Sequence, residues 1–369
     1  MIAFALICFA TVGFTWAGYP LLVAVLASLR KAAPREPVAT PPRVTVIIAT
    51  IADDEALAQR LADLERTQYP HERLDIVVAL DARRASGTAR LEAREIPVRI
   101  VRGDAPGGKA LALNAGVRAA TGEFLVFSDV AQQFEPDTIP RLVAALVADG
   151  RLGAVSGALH IGGAPGRFSI ANRYWQLERW LRRNEARVHS AVGVTGAVYA
   201  MQRVLWVPLP DGLILDDLYT PMQLVLRGYR VGFDERALAH DGRHFAPRDE
   251  YKRKARTLTG VLQLCAWMPS VMAPTRNPIW LQFVSHKLLR LATPYLLGLG
   301  VVAVLGRAMV GHLGSYPGWA VGLVIAVLLL PALASRRVRE GLSGAAYMQL
   351  AAVKATVNAF RGHWDVWQS

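Results

Sequence analysis

At 369 residues the chain has room for one large domain with a real core, or for two small ones. Its net charge of +13 comes without any nucleic-acid-binding motif, and the basic residues cluster beside apolar stretches, so anionic lipid rather than nucleic acid is the expected partner. Two cysteines, Cys8 and Cys265, exclude a disulfide framework and a cysteine metal site.

Met1–Leu29 carries no charged residue and ends in Arg30-Lys31. It is too long and too evenly apolar for a signal peptide, and it reads as a transmembrane helix whose C-terminal end is cytoplasmic. Pro34–Pro42 is a proline-rich linker. Arg43–Thr50 is a buried-strand pattern, followed by Asp53-Asp54-Glu55 and a helix marked by Leu57, Leu61 and Leu64 that runs to Tyr69-Pro70. Leu74–Leu80 is a second strand ending on Asp81. Val98–Val101 is a third.

Pro106–Val130 is the stretch around which the chain is organised. It reads as a glycine loop with Lys109, a helix, a turn at Thr121-Gly122, and a strand Phe124–Phe127 ending on Ser128-Asp129. A loop with free backbone N–H groups and a lysine suits an anion, and an acid at a strand's C-terminal end suits a divalent cation. Glu55, Asp81 and Asp129 each follow a strand, which gathers carboxylates along one sheet edge. Strands alternating with helices predict βαβ units and a mostly parallel sheet.

Further on, Asp137–Ala148 is a helix and Gly153–Leu159 a strand. Arg167–Arg187 mixes tryptophan, tyrosine and arginine and reads either as a surface helix or as a helix at a membrane interface. Val192–Ala200 is a small-residue turn entering a strand. Leu213–Leu215 is expected to deliver Asp216-Asp217 into a helix capped near Gly228, where acids also suit the helix dipole. Glu250–Arg256 precedes an amphipathic run, Leu258–Met272. Leu291–Gly306 and Trp319–Ala334 are two more apolar runs. The first is long enough to span only if it starts earlier, and Arg336, Arg337 and Arg339 return the second to the cytoplasm.

Gly103–Ala110 nearly fits a P-loop, but Ala110 lacks the metal-binding hydroxyl and Asp104 sits inside the loop. The same residues, taken with VTVIIA and Asp53-Asp54-Glu55, LDIVVALD, GGKALALNAG, LVFSD, VTGAVYA, LDDLYTPMQLVLRGYRV and EYKRKAR, resemble the membrane-bound family 2 glycosyltransferases. That resemblance implies a GT-A fold at 43–256. Around it are expected a transmembrane helix at 1–30, an amphipathic interface segment at 257–276, two more spans at 279–335 and an amphipathic cytoplasmic tail at 336–369. It implies a multi-pass protein of a bacterial-type inner membrane with a cytoplasmic catalytic domain. The donor is expected to be a nucleotide sugar, UDP-linked by preference, with Mg²⁺ or Mn²⁺. The acceptor is expected to be lipid-linked or a growing glycan, close to membrane lipids.

By the same resemblance, Glu55, Asp81 and Lys109 line the nucleotide pocket and Asp129 meets the diphosphate through the metal. Asp217 is the general base, Arg253 faces the diphosphate, and Thr195, Gly196, Asp216 and Glu250 border the acceptor. Ala131 replaces the second acid of the usual Asp-x-Asp, which leaves His240 or His244 as further candidate ligands. The Gln-x-x-Arg-Trp motif reads Glu250 to Lys254 and lacks the tryptophan of processive synthases. Two other readings remain at this point: a processive polysaccharide synthase, and a membrane scaffold that has lost catalysis.

Overall fold

A computed structural model describes residues 1–30, 40–84, 95–162, 170–243, 247–311 and 336–364. The chain divides into two compact units. The first is built from Val23–His244 and Gln263–Trp280, the second from Met1–Leu22, Phe245–Leu262 and Leu281–Val366.

The first unit is an α/β structure around one eight-stranded sheet. Its strands are β1 (Val44–Thr50), β2 (Leu74–Leu80), β3 (Val98–Arg102), β4 (Phe124–Ser128), β5 (Gln132–Phe134), β6 (Leu152–Ile161), β7 (Val198–Gln202) and β8 (Arg230–Asp241), in the order β3-β2-β1-β4-β7-β6-β8-β5. The first four positions are mutually parallel, as alternating strands and helices predict. The other half is mixed: β7 runs antiparallel to β4 and β6, β6 is parallel to β8, and β5 is antiparallel to β8. The expectation of a mostly parallel sheet therefore holds for one half only. β5 and β8 were not foreseen, because β5 is three residues long and Asp234-Glu235-Arg236 interrupts the apolar pattern of β8.

Helices α3 (Asp54–Leu64), α4 (Lys109–Ala119), α5 (Thr138–Ala148), α6 (Ile170–Val188) and α7 (Asp216–Leu226) accompany the sheet, after α1 (Ile2–Gly13) and α2 (Tyr19–Ser28). α3 starts as its sequence requires, with the Asp53 carboxylate accepting from Ala56 N at 2.9 Å. It stops at Leu64, well before Tyr69-Pro70. Gly228 follows α7 at φ +87, the conformation a helix-terminating glycine adopts. Leu213–Leu215 is not a strand: the turn is held instead by Gln263, whose side chain accepts from Ile214 N and donates to Gly212 O, both at 2.9 Å.

One face of the sheet carries the main core. Val44, Val46 and Ile48 of β1 pack with Leu57, Leu61 and Leu64 of α3 and with Ile139, Leu142 and Leu146 of α5. α3 adds an unexpected member at its buried face. The Arg60 side chain is fully buried, donates to Ser128 Oγ at 2.7 and 3.1 Å, pairs with Asp63, and lies 4.1 Å over the Phe134 ring. Asp63 also accepts from Arg66 and, at 3.0 Å, from Phe134 N.

The second unit takes α8 (Pro247–Trp267) as far as Leu262; the helix begins with the basic EYKRKAR segment and runs without a break into the predicted amphipathic run. After α9 (Trp280–Phe283) and α10 (Leu289–Gly311) comes α11 (Arg336–Phe360). Ile2–Ser28 and Trp280–Arg307 are long and apolar enough to cross a membrane, the latter starting earlier than its apolar core, as its length requires. Within this unit Trp16 Nε1 donates to Thr293 Oγ1 at 3.1 Å, Arg290 stacks 4.9 Å over Trp16, and Asn358 Nδ2 donates to Thr259 Oγ1 at 3.3 Å. Leu6, Ile7, Val302 and Leu299 stay exposed on these helices, as lipid-facing positions do. The third predicted span, Trp319–Ala334, lies outside the described residues.

Removing Arg60 should be costly, since it takes from the buried Asp63 carboxylate its one buried cation and leaves it only Phe134 N and the exposed Arg66. Arg60→Met is expected to lower unfolding free energy by about 3–5 kcal/mol, with Arg60→Met/Asp63→Leu recovering part of the loss. Denaturant melts of the detergent-solubilised proteins check this.

Candidate functional site

The site forms at the C-terminal edge of the parallel strands because that is where their loops converge. β2 ends at Leu80, and Asp81 follows, tied to β1 through its N–H to Thr50 O at 3.0 Å. After β3 the chain turns through Gly107 and Gly108 into α4. Gly107 has φ +97, and a Cβ there would stand 2.5 Å from Asp81 Oδ1, so both the conformation and the close approach require glycine. Gly108 N donates to Asp81 Oδ2 at 2.9 Å.

The glycine turn places Lys109 at the first position of α4. A cation there opposes the helix dipole, and carboxylates offset it. Lys109 Nζ lies 3.1 Å from Asp129 Oδ1 and 3.6 Å from Asp216 Oδ2. Burial lowers the lysine pKa, but Asp129, Asp216 and Asp217 together outweigh it and hold it above the ordinary value. Lys109 thus stays charged across the neutral range.

Strand directions explain why distant residues meet. β4 delivers Asp129 directly after Ser128, and Ser128 is paired with Ile48 of β1 on one side and Val198 of β7 on the other. Because β7 is antiparallel to β4, the turn that enters it, Thr195-Gly196-Ala197, lies at the same edge. A Cβ on Gly196 would come 3.2 Å from Asp217 Cβ and 3.7 Å from Lys109 Nζ. Val194 N donates to Asp217 O at 2.8 Å, which fixes the start of α7 against this turn. Both aspartates occupy the first turn of α7, where the dipole favours them.

Beneath the acids, Tyr199 and Phe127 stack at 4.4 Å, and Phe127 and Trp206 at 5.3 Å. The stack gives the site a rigid floor.

The structure therefore brings together Lys109, Asp129, Asp216, Asp217, Thr195 and Gly196. Asp81 sits in the adjoining glycine loop, its carboxylate taken by Gly108 N and by Arg83, whose Nη2 donates at 2.8 Å. Glu55 stands exposed in the first turn of α3. His240 Nε2 donates to Glu135 Oε1 at 2.8 Å, and its ring meets His160 edge-on at 5.5 Å. Arg253 lies in α8, in the other unit; His244 and the Glu250 side chain lie outside the described residues. Among the described residues no three His, Cys, Asp or Glu side chains group so as to hold a metal ion.

Four contributors escaped the sequence reading. Arg60 and Ser128 support Asp129 from behind, and Arg83 holds Asp81. Arg182 of α6 donates to Thr195 Oγ1 at 2.9 Å. Arg60 alone left a signal, since it falls on the face defined by Leu57, Leu61 and Leu64.

Asp81 carries a pH dependence. Burial would raise its pKa, but the hydrogen bonds from Arg83 and Gly108 hold it below the ordinary aspartate value. Its stabilisation is thus complete above about pH 4, the unfolded aspartate pKa, and fades as pH falls through the lower folded value. Asp81→Asn should flatten this acid limb, as read by melting temperature on descent from pH 5 to pH 2.5.

Residues 45–207 match the family model described as Glycosyl transferase family 2. Among solved structures, the mannosyltransferase PcManGT from Pyrobaculum calidifontis, in complex with GDP-Man and Mn²⁺, aligns with a TM-score of 0.70 and 23% identity, over 97% of this chain and 99% of that one. TarS 1–349 from S. aureus, in complex with UDP-GlcNAc, aligns at a TM-score of 0.40 with 14% identity, over 60% of this chain and 66% of that one, a likeness too slight to carry weight. No curated protein matches the chain. The matched segment contains Asp81, Lys109, Asp129, Thr195 and Gly196 and ends before Asp216 and Asp217. The match to the family 2 glycosyl transferase model covers residues 45–207 on a GT-A-like fold, and the protein is a glycosyltransferase.

Proposed function

We propose that the protein is an inverting glycosyltransferase of a bacterial-type inner membrane, moving a hexose from a nucleotide sugar to a lipid-linked or glycan acceptor at the cytoplasmic face. The observation that carries this reading is Lys109 set between Asp129 and Asp216, beside Asp217, at the mouth of a glycine loop. A cation opposite a departing diphosphate and a carboxylate beside an acceptor hydroxyl are what such a transfer needs.

In the proposed reaction the acceptor oxygen bonds to the anomeric carbon on the face opposite the diphosphate. The bond from that carbon to the phosphate oxygen breaks, its electron pair leaving with the nucleoside diphosphate. The acceptor proton passes to the Asp217 carboxylate. Lys109 meets the leaving charge, and the glycine loop with Asp81 and Glu55 borders the nucleoside. Asp216 keeps Lys109 in place, and Thr195 and Gly196 border the acceptor. Arg253 and Glu250 take their parts from the resemblance to the family motif.

The donor set fits a divalent cation shared with substrate phosphates, and it does not form a cage. Asp129 offers one carboxylate that remains 39% exposed, and Mg²⁺-type sites commonly combine one or two carboxylates with phosphate oxygens. When bound there, Mg²⁺ or Mn²⁺ would neutralise charge on the diphosphate. The similar mannosyltransferase was solved with GDP-Man and Mn²⁺, which supports the nucleotide-sugar and metal readings without choosing between guanine and uracil. The two helices able to span a membrane and the basic Arg30-Lys31 pair that follows the first support the membrane placement.

Detergent-purified protein is to be assayed for nucleoside diphosphate release from UDP- and GDP-sugars with Mn²⁺. Asp217→Asn is expected to lower turnover by about 10²–10⁴ while leaving donor binding intact. Asp129→Ala is expected to weaken donor binding as well. Release from no donor, or full activity in Asp217→Asn, would overturn the proposal.

A further inference from the structure

One buried hydroxyl near the acids is unused. Tyr199 is fully buried, its ring stacked 4.4 Å from Phe127, and among the described residues its hydroxyl has no hydrogen-bond partner. A buried O–H left unpaired costs free energy that a phenylalanine would avoid, which points to a partner acquired in another state. Burial first, then Asp216, Asp217 and Asp129, hold its pKa well above the ordinary tyrosine value. The group therefore keeps its proton and can donate it in a hydrogen bond.

Strand alternation says where it points. Val198 and Ala200 flank it in β7 and belong to the core face packed by α3 and α5, which turns Tyr199 to the opposite face. α4 covers that face, since a Cβ on its Gly116 would stand 2.9 Å from Ile47, which lies between the core residues Val46 and Ile48. α7 covers it further along, where Leu224 comes 3.1 Å from the Cβ position of Gly153, next to the core residue Leu152. The two helices begin together at Lys109 and Asp216, 3.6 Å apart. Tyr199 stands three residues after Gly196, whose Cβ position is 3.7 Å from Lys109 Nζ. Its hydroxyl thus lies on the face, and at the edge, where both helices start.

Asp216 is the carboxylate that most needs a second donor. Its side chain is 11% exposed, and among the described residues the Lys109 ammonium is its one ion-pair or hydrogen-bond partner. Asp129 shares that ammonium but is 39% exposed, so water can solvate it. A diphosphate that draws Lys109 to itself leaves Asp216 buried beside Asp217, with the dipole of α7 as its remaining support.

We propose that Tyr199 is a positioning residue for the transfer: when the donor diphosphate draws Lys109 away, the Tyr199 hydroxyl donates to the Asp216 carboxylate and takes the place of the ammonium. This rests on the reading in which Lys109 meets the leaving diphosphate. It frees Lys109 for the donor at lower cost, and it keeps the start of α7, with Asp217, where the acceptor needs its base.

Binding of UDP and GDP, with Mn²⁺, is to be measured for the full-length detergent-solubilised protein and its variants, beside melting temperature without nucleotide. Tyr199→Phe keeps the ring stack and loses only an unpaired O–H, so the nucleotide-free protein should melt at or above the wild-type temperature. Its affinity for whichever nucleotide wild type binds should fall about tenfold or more, the scale of one hydrogen bond to a charged group. With Asp216→Ala no carboxylate is left to compensate, so adding Tyr199→Phe should change affinity by less than about twofold. A tyrosine with a purely structural role would lower the melting temperature, or weaken binding equally in both backgrounds, and either result overturns the proposal. Unchanged affinity in Tyr199→Phe overturns it as well. So does the same coupling found with Thr220→Val instead, which would give the bond to the Thr220 hydroxyl, also unpaired and one turn beyond Asp216. If wild type bound neither nucleotide, the UDP- or GDP-sugar reading would fall and this inference with it. A wild type that binds one of them, with no coupling between Tyr199 and Asp216, refutes this inference alone.

Discussion

Lys109 is the group on which the site depends. Placed elsewhere on α4 it would be an ordinary surface lysine. At the first position of that helix it faces a dipole that repels it, and it is held by Asp129 from the end of β4 and Asp216 from the start of α7. One ammonium thereby fixes the relative positions of a loop, a strand end and a helix start, all in the same unit. The ammonium also offsets the mutual repulsion of the carboxylates gathered around it. A substrate bringing its own negative charge competes for that ammonium, so the ground state holds a cation ready for an anion at the edge of the sheet.

The support behind Asp129 is of a different kind. Arg60 is buried deeply enough that its pKa drops to about 10, yet Asp63 and Asp129 work against that fall and it remains charged at neutral pH. Its two bonds to Ser128 Oγ, and the Ser128 bond to Asp129 O at 2.9 Å, fix the backbone where β4 ends. A buried ion pair contributes little net stability compared with apolar packing. Its effect here is to define one geometry for the strand end that carries the acid.

Much of the parallel half was legible in the sequence. Leu74–Leu80 appears as read, β1, β3, β4 and α5 fall within a residue or two, and α4 lies between the glycine loop and the Thr121-Gly122 turn, because continuous apolar runs between turn signals leave little choice. The antiparallel half was harder to see. β5 has three residues, and β8 carries charges at Asp234, Glu235 and Arg236 where the pairing with β6 shifts register. Site residues followed the same division. Lys109, Asp129 and the Asp216-Asp217 pair stand out as charges at the ends of apolar elements. Arg60, Arg83 and Arg182 do not, because an arginine in a helix or polar turn looks like a solvated residue until its neighbours are known.

The reversal of β7 accounts for the two-sided character of the site. In a wholly parallel sheet the Thr195-Gly196 turn would enter its strand at the opposite edge, far from Asp129. Running β7 antiparallel to β4 returns that turn to the edge where the parallel strands end, and Val194 then fastens α7, with both its acids, at the same place. The parallel half supplies a glycine loop and a cation suited to phosphates. The mixed half supplies a carboxylate pair and, over β6, two arginines without carboxylates.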